Sequence, residues 1–153
     1  MLQIHTNDNY AKNSQRGIAS NSLVLDKPYF LKKASGFIAK ATAPTDRIIG
    51  VNYTVDSFAS NNQTVAKSEV EFEPKETPIL YNVTINGGSV TAADVGSFFN
   101  LSDAETVDWT TKATTPYTVD TTGSSTTTPV ASKQLELVKF NSTTLGVFRI
   151  VNL

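Results

Sequence analysis

Apolar and polar residues alternate one by one through much of the chain after Leu23, and turn-forming residues break the alternation at short intervals. Ile79, Tyr81, Val83 and Ile85 alternate with Leu80, Asn82, Thr84 and Asn86, and the run stops at Asn86-Gly87-Gly88. A strand turns successive side chains to opposite faces, so a period of two writes one buried face and one solvated face. Asn-Gly is a strong turn signal. This pattern cannot serve an amphipathic helix, whose apolar residues recur at three and four.

The same period recurs elsewhere. Tyr29-Phe30-Leu31-Lys32-Lys33 and Phe37-Ile38-Ala39-Lys40-Ala41 flank Ala34-Ser35-Gly36 and read as a hairpin. From Arg47 to Ser57, Ile49, Val51, Tyr53 and Val55 share one face, while Asn52, Thr54 and Asp56 share the other. Gly50 inside that strand marks a bulge or a close backbone approach. From Thr64 to Glu73, Val70 and Phe72 oppose Lys67, Glu69, Glu71 and Glu73, a charged face expected to meet water or a cationic partner. Gln134 to Phe140 and Val147 to Leu153, joined by a turn from Asn141 to Gly146, form the clearest strand pair.

Helix signals are confined to Thr91-Ala92-Ala93-Asp94-Val95-Gly96, where Thr91 can cap and Gly96 can end a single turn. Phe98 to Leu101 then packs into the core, and Ser102 to Asp108 is acidic. Residues 110–132 are dominated by Thr and Ser, with Pro116 and Pro129, and read as a long exposed loop with a short strand near Tyr117-Thr118-Val119. Residues 1–22 are polar, lack a period and read as an N-terminal arm. The expected fold is all-β: a single domain over 23–153, a small barrel or sandwich of about seven to eight strands, with one short helix near 91–96. A chain of 153 residues can bury a core of that size without metal or disulfide.

Composition narrows the chemistry. There is no Cys, which removes disulfides, thiolate catalysis and the common structural zinc sites. No run reaches the length of a membrane span, and the first residues lack the apolar core of a secretory signal, so a soluble chain made in the cytosol is expected. Net charge is −1 and uneven. Through Arg47, seven Lys/Arg stand against three Asp, or +4; beyond it, six stand against eleven Asp/Glu, or −5. A basic leading segment on an acidic body suits docking on a complementary surface. Clustered Arg/Lys with interleaved aromatics is absent, so no nucleic-acid partner is expected.

Catalytic constellations are missing as patterns. The one histidine, His5, sits in the arm with no nucleophile beside it and reads as exposed and without a role. Glu69, Glu71 and Glu73 line one strand rather than facing each other across a cleft. Asp94, Asp103, Glu105 and Asp108 are the nearest approach to an oxygen-rich metal cluster, and they read better as a one-sided acidic loop. Asn-x-Ser/Thr triplets at Asn52, Asn62, Asn82, Asn100 and Asn141 follow from composition. Trp109 and the five tyrosines are too scattered for a sugar-stacking platform, and Tyr53 and Tyr81 belong to apolar faces. No catalytic residue, cofactor or metal is expected.

The order of segments has a likeness. A hairpin with Gly36-Phe37-Ile38 precedes Arg47-Ile48-Ile49-Gly50-Val51. Thr91 to Leu101 carries Asp-Val-Gly, then aromatics, then Asn-Leu. The chain closes with Leu135-Glu136-Leu137-Val138 and Gly146-Val147-Phe148-Arg149-Ile150. Across residues 23–153 this resembles the capsid decoration, or cement, proteins of tailed bacteriophages. The resemblance implies a β-barrel-like domain on the outer face of the phage head, made in the host cytoplasm and bound to the major capsid protein as a homo-oligomer, often a trimer. It implies no enzyme activity. It puts the partner contacts on the basic leading residues Lys12, Arg16, Lys32 and Lys33. Another virion part, such as a tail or head-completion protein, and a cell-surface adhesin or carbohydrate-binding module are the competing expectations.

Overall fold

The computed structural model describes residues 1–5, 14–21, 23–52, 58–59, 69–119, 129–131 and 133–151. In chain order its strands are β1 (Leu2–Ile4), β2 (Gln15–Ile18), β3 (Val24–Leu25), β4 (Phe30–Ala34) and β5 (Phe37–Lys40). They continue with β6 (Gly50–Asn52), β7 (Phe58–Ala59), β8 (Glu69–Pro74), β9 (Leu80–Asn86) and β10 (Phe98–Asp103). The last are β11 (Thr106–Ala113), β12 (Tyr117–Val119), β13 (Pro129–Ala131), β14 (Leu135–Ser142) and β15 (Leu145–Ile150). A single 3-10 turn, Ala92–Asp94, is the helical element among the described residues.

The protein is all-β: a closed five-stranded barrel with a further five-stranded sheet beside it. The barrel runs β9-β11-β10-β14-β15 and returns to β9, since Leu145 to Arg149 pair with Thr84 to Leu80. Its pairings are antiparallel except β9–β11, which is parallel. Closure leaves those strands without free edges. The alternating residues of β9 do what their period dictates: Tyr81, Val83 and Ile85 point inward and are buried. They meet Phe99, Leu101, Val107, Leu135, Leu137 and Phe148 in one apolar cluster. Phe99 packs edge-on against Phe148 at 5.8 Å between ring centroids. Each such side chain contributes about 1.5–3 kcal/mol by leaving water, so the barrel interior is the main source of stability. The fit is close: a Cβ on Gly146 would lie 2.5 Å from Leu137 Cδ1.

The second sheet runs β2-β8-β6-β4-β5, all antiparallel. Its hairpin between β4 and β5 turns at Ser35 and Gly36, with φ of 51° and 85°, the positive pair that a two-residue turn needs to match strand twist. The sheet curls: Ala19 bridges Ile38, and Ser20 N donates to Ile38 O at 2.9 Å. Leu31, Ile38, Val70 and Phe72 fill the inside of the curl. The close approach expected at Gly50 is present, because a Cβ there would collide with the Glu73 carbonyl.

One strand joins the two cores. Phe30 of β4 points to the barrel cluster and packs edge-on against Tyr81 at 6.3 Å, while its neighbour Leu31 points into the curl. Phe30 N donates to Ala104 O at 2.7 Å, and Gln134 links the units by accepting from Ile48 N and donating to Asp46 O.

Several expectations change. Residues 1–22 are not an arm at their described ends: β1 pairs with β9, Leu2 is buried, and β2 pairs with β8. Glu69, Glu71 and Glu73 share a face as expected, but Glu73 is only 1% exposed. The register aligns Glu73 with Val51 and Val51 with Phe30, so that end of the face lies beneath the barrel. Asn52 is buried too, accepting from Tyr29 N and donating to Lys27 O. The expected loop at 110–132 begins as barrel strand, since β11 runs to Ala113, while the short strand expected near Tyr117-Thr118-Val119 is present as β12 and pairs with β13. Threonine favours extended backbone, which a reading from low complexity passes over. The final turn shortens to Thr143-Thr144.

Candidate functional site

The four acidic residues singled out in the sequence, Asp94, Asp103, Glu105 and Asp108, each have partners of their own. Thr91 N and Oγ1 donate to Asp94 Oδ2 at 2.7 and 3.0 Å, and Lys112 Nζ donates to Asp94 Oδ1 at 2.9 Å. Burial pushes the Asp94 carboxyl up, but these donors outweigh it and hold the group below its ordinary value. Asp108 Oδ1 accepts from Thr110 N and Oγ1, and Asp103 Oδ1 from Glu105 N. Lys27 pairs with Glu105 at 2.8 Å. The four acidic carboxylates therefore take separate donors, and no group of three His, Asp or Glu converges on a metal position among the described residues.

His5 is half-buried rather than exposed, which corrects the expectation for it. β1 carries it alongside β9, where His5 N donates to Leu80 O and its Nδ1 lies 3.0 Å from Asn82 Oδ1. Asn141 Nδ2 shares that oxygen at 3.3 Å. This set lacks a nucleophile and ties strands together. Trp109 is likewise engaged. Its ring lies against the Gly88 backbone and 6.0 Å from Phe99, with Lys112 Nζ 4.5 Å from its centroid. A sugar-stacking face needs an open ring, and both surroundings of this one are taken.

The four expected contact residues separate. Lys12 lies outside the described residues. Arg16 is exposed on β2 and reaches Glu69 and Glu71 at 3.7 and 3.9 Å, long contacts in water that are worth little. Lys32 is spent inside the molecule: its Nζ donates to Asp46 Oδ1 at 2.7 Å, and Asp46 Oδ2 accepts from Thr42 N and Ala43 N. Burial raises the Asp46 pKa, but Lys32 and the two amides lower it further than burial raises it. Lys33, one residue on, faces the opposite side of β4. It is exposed and has no ion pair among the described residues.

Lys33 stands at the mouth of a groove of about 210 Å³ with Gln15, Ile49, Phe72, Lys75 and Glu76. A second groove, of about 390 Å³, starts at the same Lys75-Glu76 turn and runs past Pro78, Leu80, Arg149 and Ile150. Burial lowers the Lys75 pKa, and the nearby Arg47 guanidinium lowers it again. Lys75 too has no ion pair among the described residues. Sequence reasoning missed Lys75 because it falls in a turn after Pro74, outside the basic leading segment.

No family model, curated protein or solved structure matches this chain in the comparisons made with each.

Proposed function

We propose that this protein is a virion structural component, a capsid decoration protein that binds the outside of a phage head and holds neighbouring capsid subunits together. One observation carries the reading: the closed barrel is filled with its own side chains. Tyr81, Phe99, Leu101, Leu137 and Phe148 occupy the interior and are each at most 2% exposed. Five strands give a barrel too narrow for a ligand once such residues fill it. What remains for function is the outer surface, and cement works through its surface, by burying area across subunit boundaries. The resemblance of residues 23–153 to decoration proteins and the charge asymmetry of the chain support the same reading.

Co-sedimentation with expanded capsids that lack the protein tests it. Saturable binding at a fixed ratio to the major capsid protein is the expected result. Failure to bind both immature and expanded capsids would reject the reading and favour a tail component or an adhesin.

A further inference from the structure

We propose that the double groove around the Lys75-Glu76 turn is a docking site for an extended segment of a protein partner in which acidic and apolar residues alternate. On the reading above, that partner is a capsid subunit, but the site is argued from its own chemistry.

Two grooves flank the Lys75-Glu76 turn, and both residues line each of them, so a segment laid across the turn reaches both. Their walls mix two kinds of group. Ile49, Pro78 and Ile150 offer apolar surface; Lys33 and Lys75 offer ammonium groups. Among the described residues, neither cation has an ion pair, whereas Lys27, Lys32 and Lys112 each have one. An extended peptide turns alternate side chains to opposite sides, so one with acids and apolar residues in alternation meets both wall types.

Charge decides the sign of the occupant. Arg47 acts on Lys75 through its field, so three cations surround the turn and Glu76 offsets one of them. Lys75 is partly desolvated without a counter-charge at hydrogen-bond distance, and a carboxylate arriving beside it would supply one. A nucleic acid fits less well. Strand binding needs a row of cations with exposed aromatic faces for the bases, and the one ring on these walls, Phe72, is 3% exposed.

The probe is a fluorescein-labelled peptide of alternating Glu and Leu, eight residues long, followed by anisotropy with the intact protein. A Gln-Leu peptide and an eight-nucleotide oligothymidylate are the comparison ligands. Binding of the Glu-Leu peptide should weaken about fivefold or more for each of Lys33→Glu and Lys75→Glu. It should be unchanged for Lys139→Glu, which lines neither groove. Lys75→Gln, with its melting temperature recorded, separates a lost charge from a lost fold. Equal weakening by Lys139→Glu, or equal binding of the Gln-Leu peptide, would overturn the proposal. Tighter, groove-dependent binding of the oligonucleotide would overturn the peptide as occupant. Capsid sedimentation of Lys33→Glu/Lys75→Glu then separates the two claims. Retained capsid binding with lost peptide binding rejects the groove as the capsid contact and leaves the decoration reading standing. No capsid binding by the unmodified protein, with peptide binding intact, does the reverse.

Discussion

Asp46 shows how one carboxylate can hold a connection that the backbone alone would not. It takes hydrogen bonds from Lys32 and from the Thr42 and Ala43 amides just after β5. Asp94 does the same for the 3-10 turn, through Thr91 and Lys112. Both carboxyls are held below their ordinary values. The sign follows from linkage. A group with a lowered folded pKa contributes stability that is complete above its unfolded value, about 3.9, and is lost as pH falls through the folded value. Urea unfolding of the parent should therefore show stability falling across that acid range. Asp46→Asn should cost about 1–3 kcal/mol at neutral pH, where a charge-assisted set is lost, and should flatten the acid limb. An unchanged acid limb would show that Asp46 does not contribute.

Residue types alone disclosed half of this. A capping Thr91 and a terminating Gly96 were legible, because cap chemistry is local, and Gly96 does adopt φ of 91°. The pairing of Lys32 rather than Lys33 was not legible. Adjacent lysines are equivalent in sequence, and only the alternation of β4 against the Thr42–Asp46 connection tells them apart.

At the scale of elements, alternation located most barrel strands, and the failures share one cause. Period two reports which residues share a face but not what covers that face along its length. Glu69, Glu71 and Glu73 do lie on one face, yet the barrel covers only the Glu73 end. β1 was missed for a related reason. A strand of three residues is too short to display a period, and its evidence is tertiary: the pairing of Leu2 with Val83 and the burial of Leu2 among the barrel residues. The distinction between strand and arm is measurable. Leu2→Ala should destabilise the protein by about 2–5 kcal/mol, the cost of emptying a packed site. A change under about 0.5 kcal/mol, the usual effect of a surface substitution, would restore the arm. Truncation of residues 2–20 is for the same reason a poor test of partner binding, because it removes two strands together with any contact they make.

For the whole molecule, the informative fact is the division of labour between two apolar cores joined through β4. The barrel is sealed and filled, so its contribution is rigidity. The open grooves lie where the curled sheet meets the barrel, with Lys33 and Ile49 on one side of the Lys75-Glu76 turn and Leu80, Arg149 and Ile150 on the other. The period anticipated an all-β fold. It did not anticipate that closure would involve β11, whose Thr-rich end looked like loop, or that Lys33 and Lys75 would line one groove where β8 turns toward β9. Both depend on which strands become neighbours, information that is spread over more than 100 residues between Gln15 and Arg149.

The central claim is that this protein stabilises a capsid by binding its surface. Its most direct test is the melting of expanded capsids by calorimetry, with and without saturating protein. A ligand that binds only the assembled state must raise that state's stability in proportion to the logarithm of its concentration over Kd. The capsid transition is therefore predicted to move to higher temperature and to keep rising as free protein is increased. A transition that stays in place while the protein is bound at fixed stoichiometry would contradict the claim.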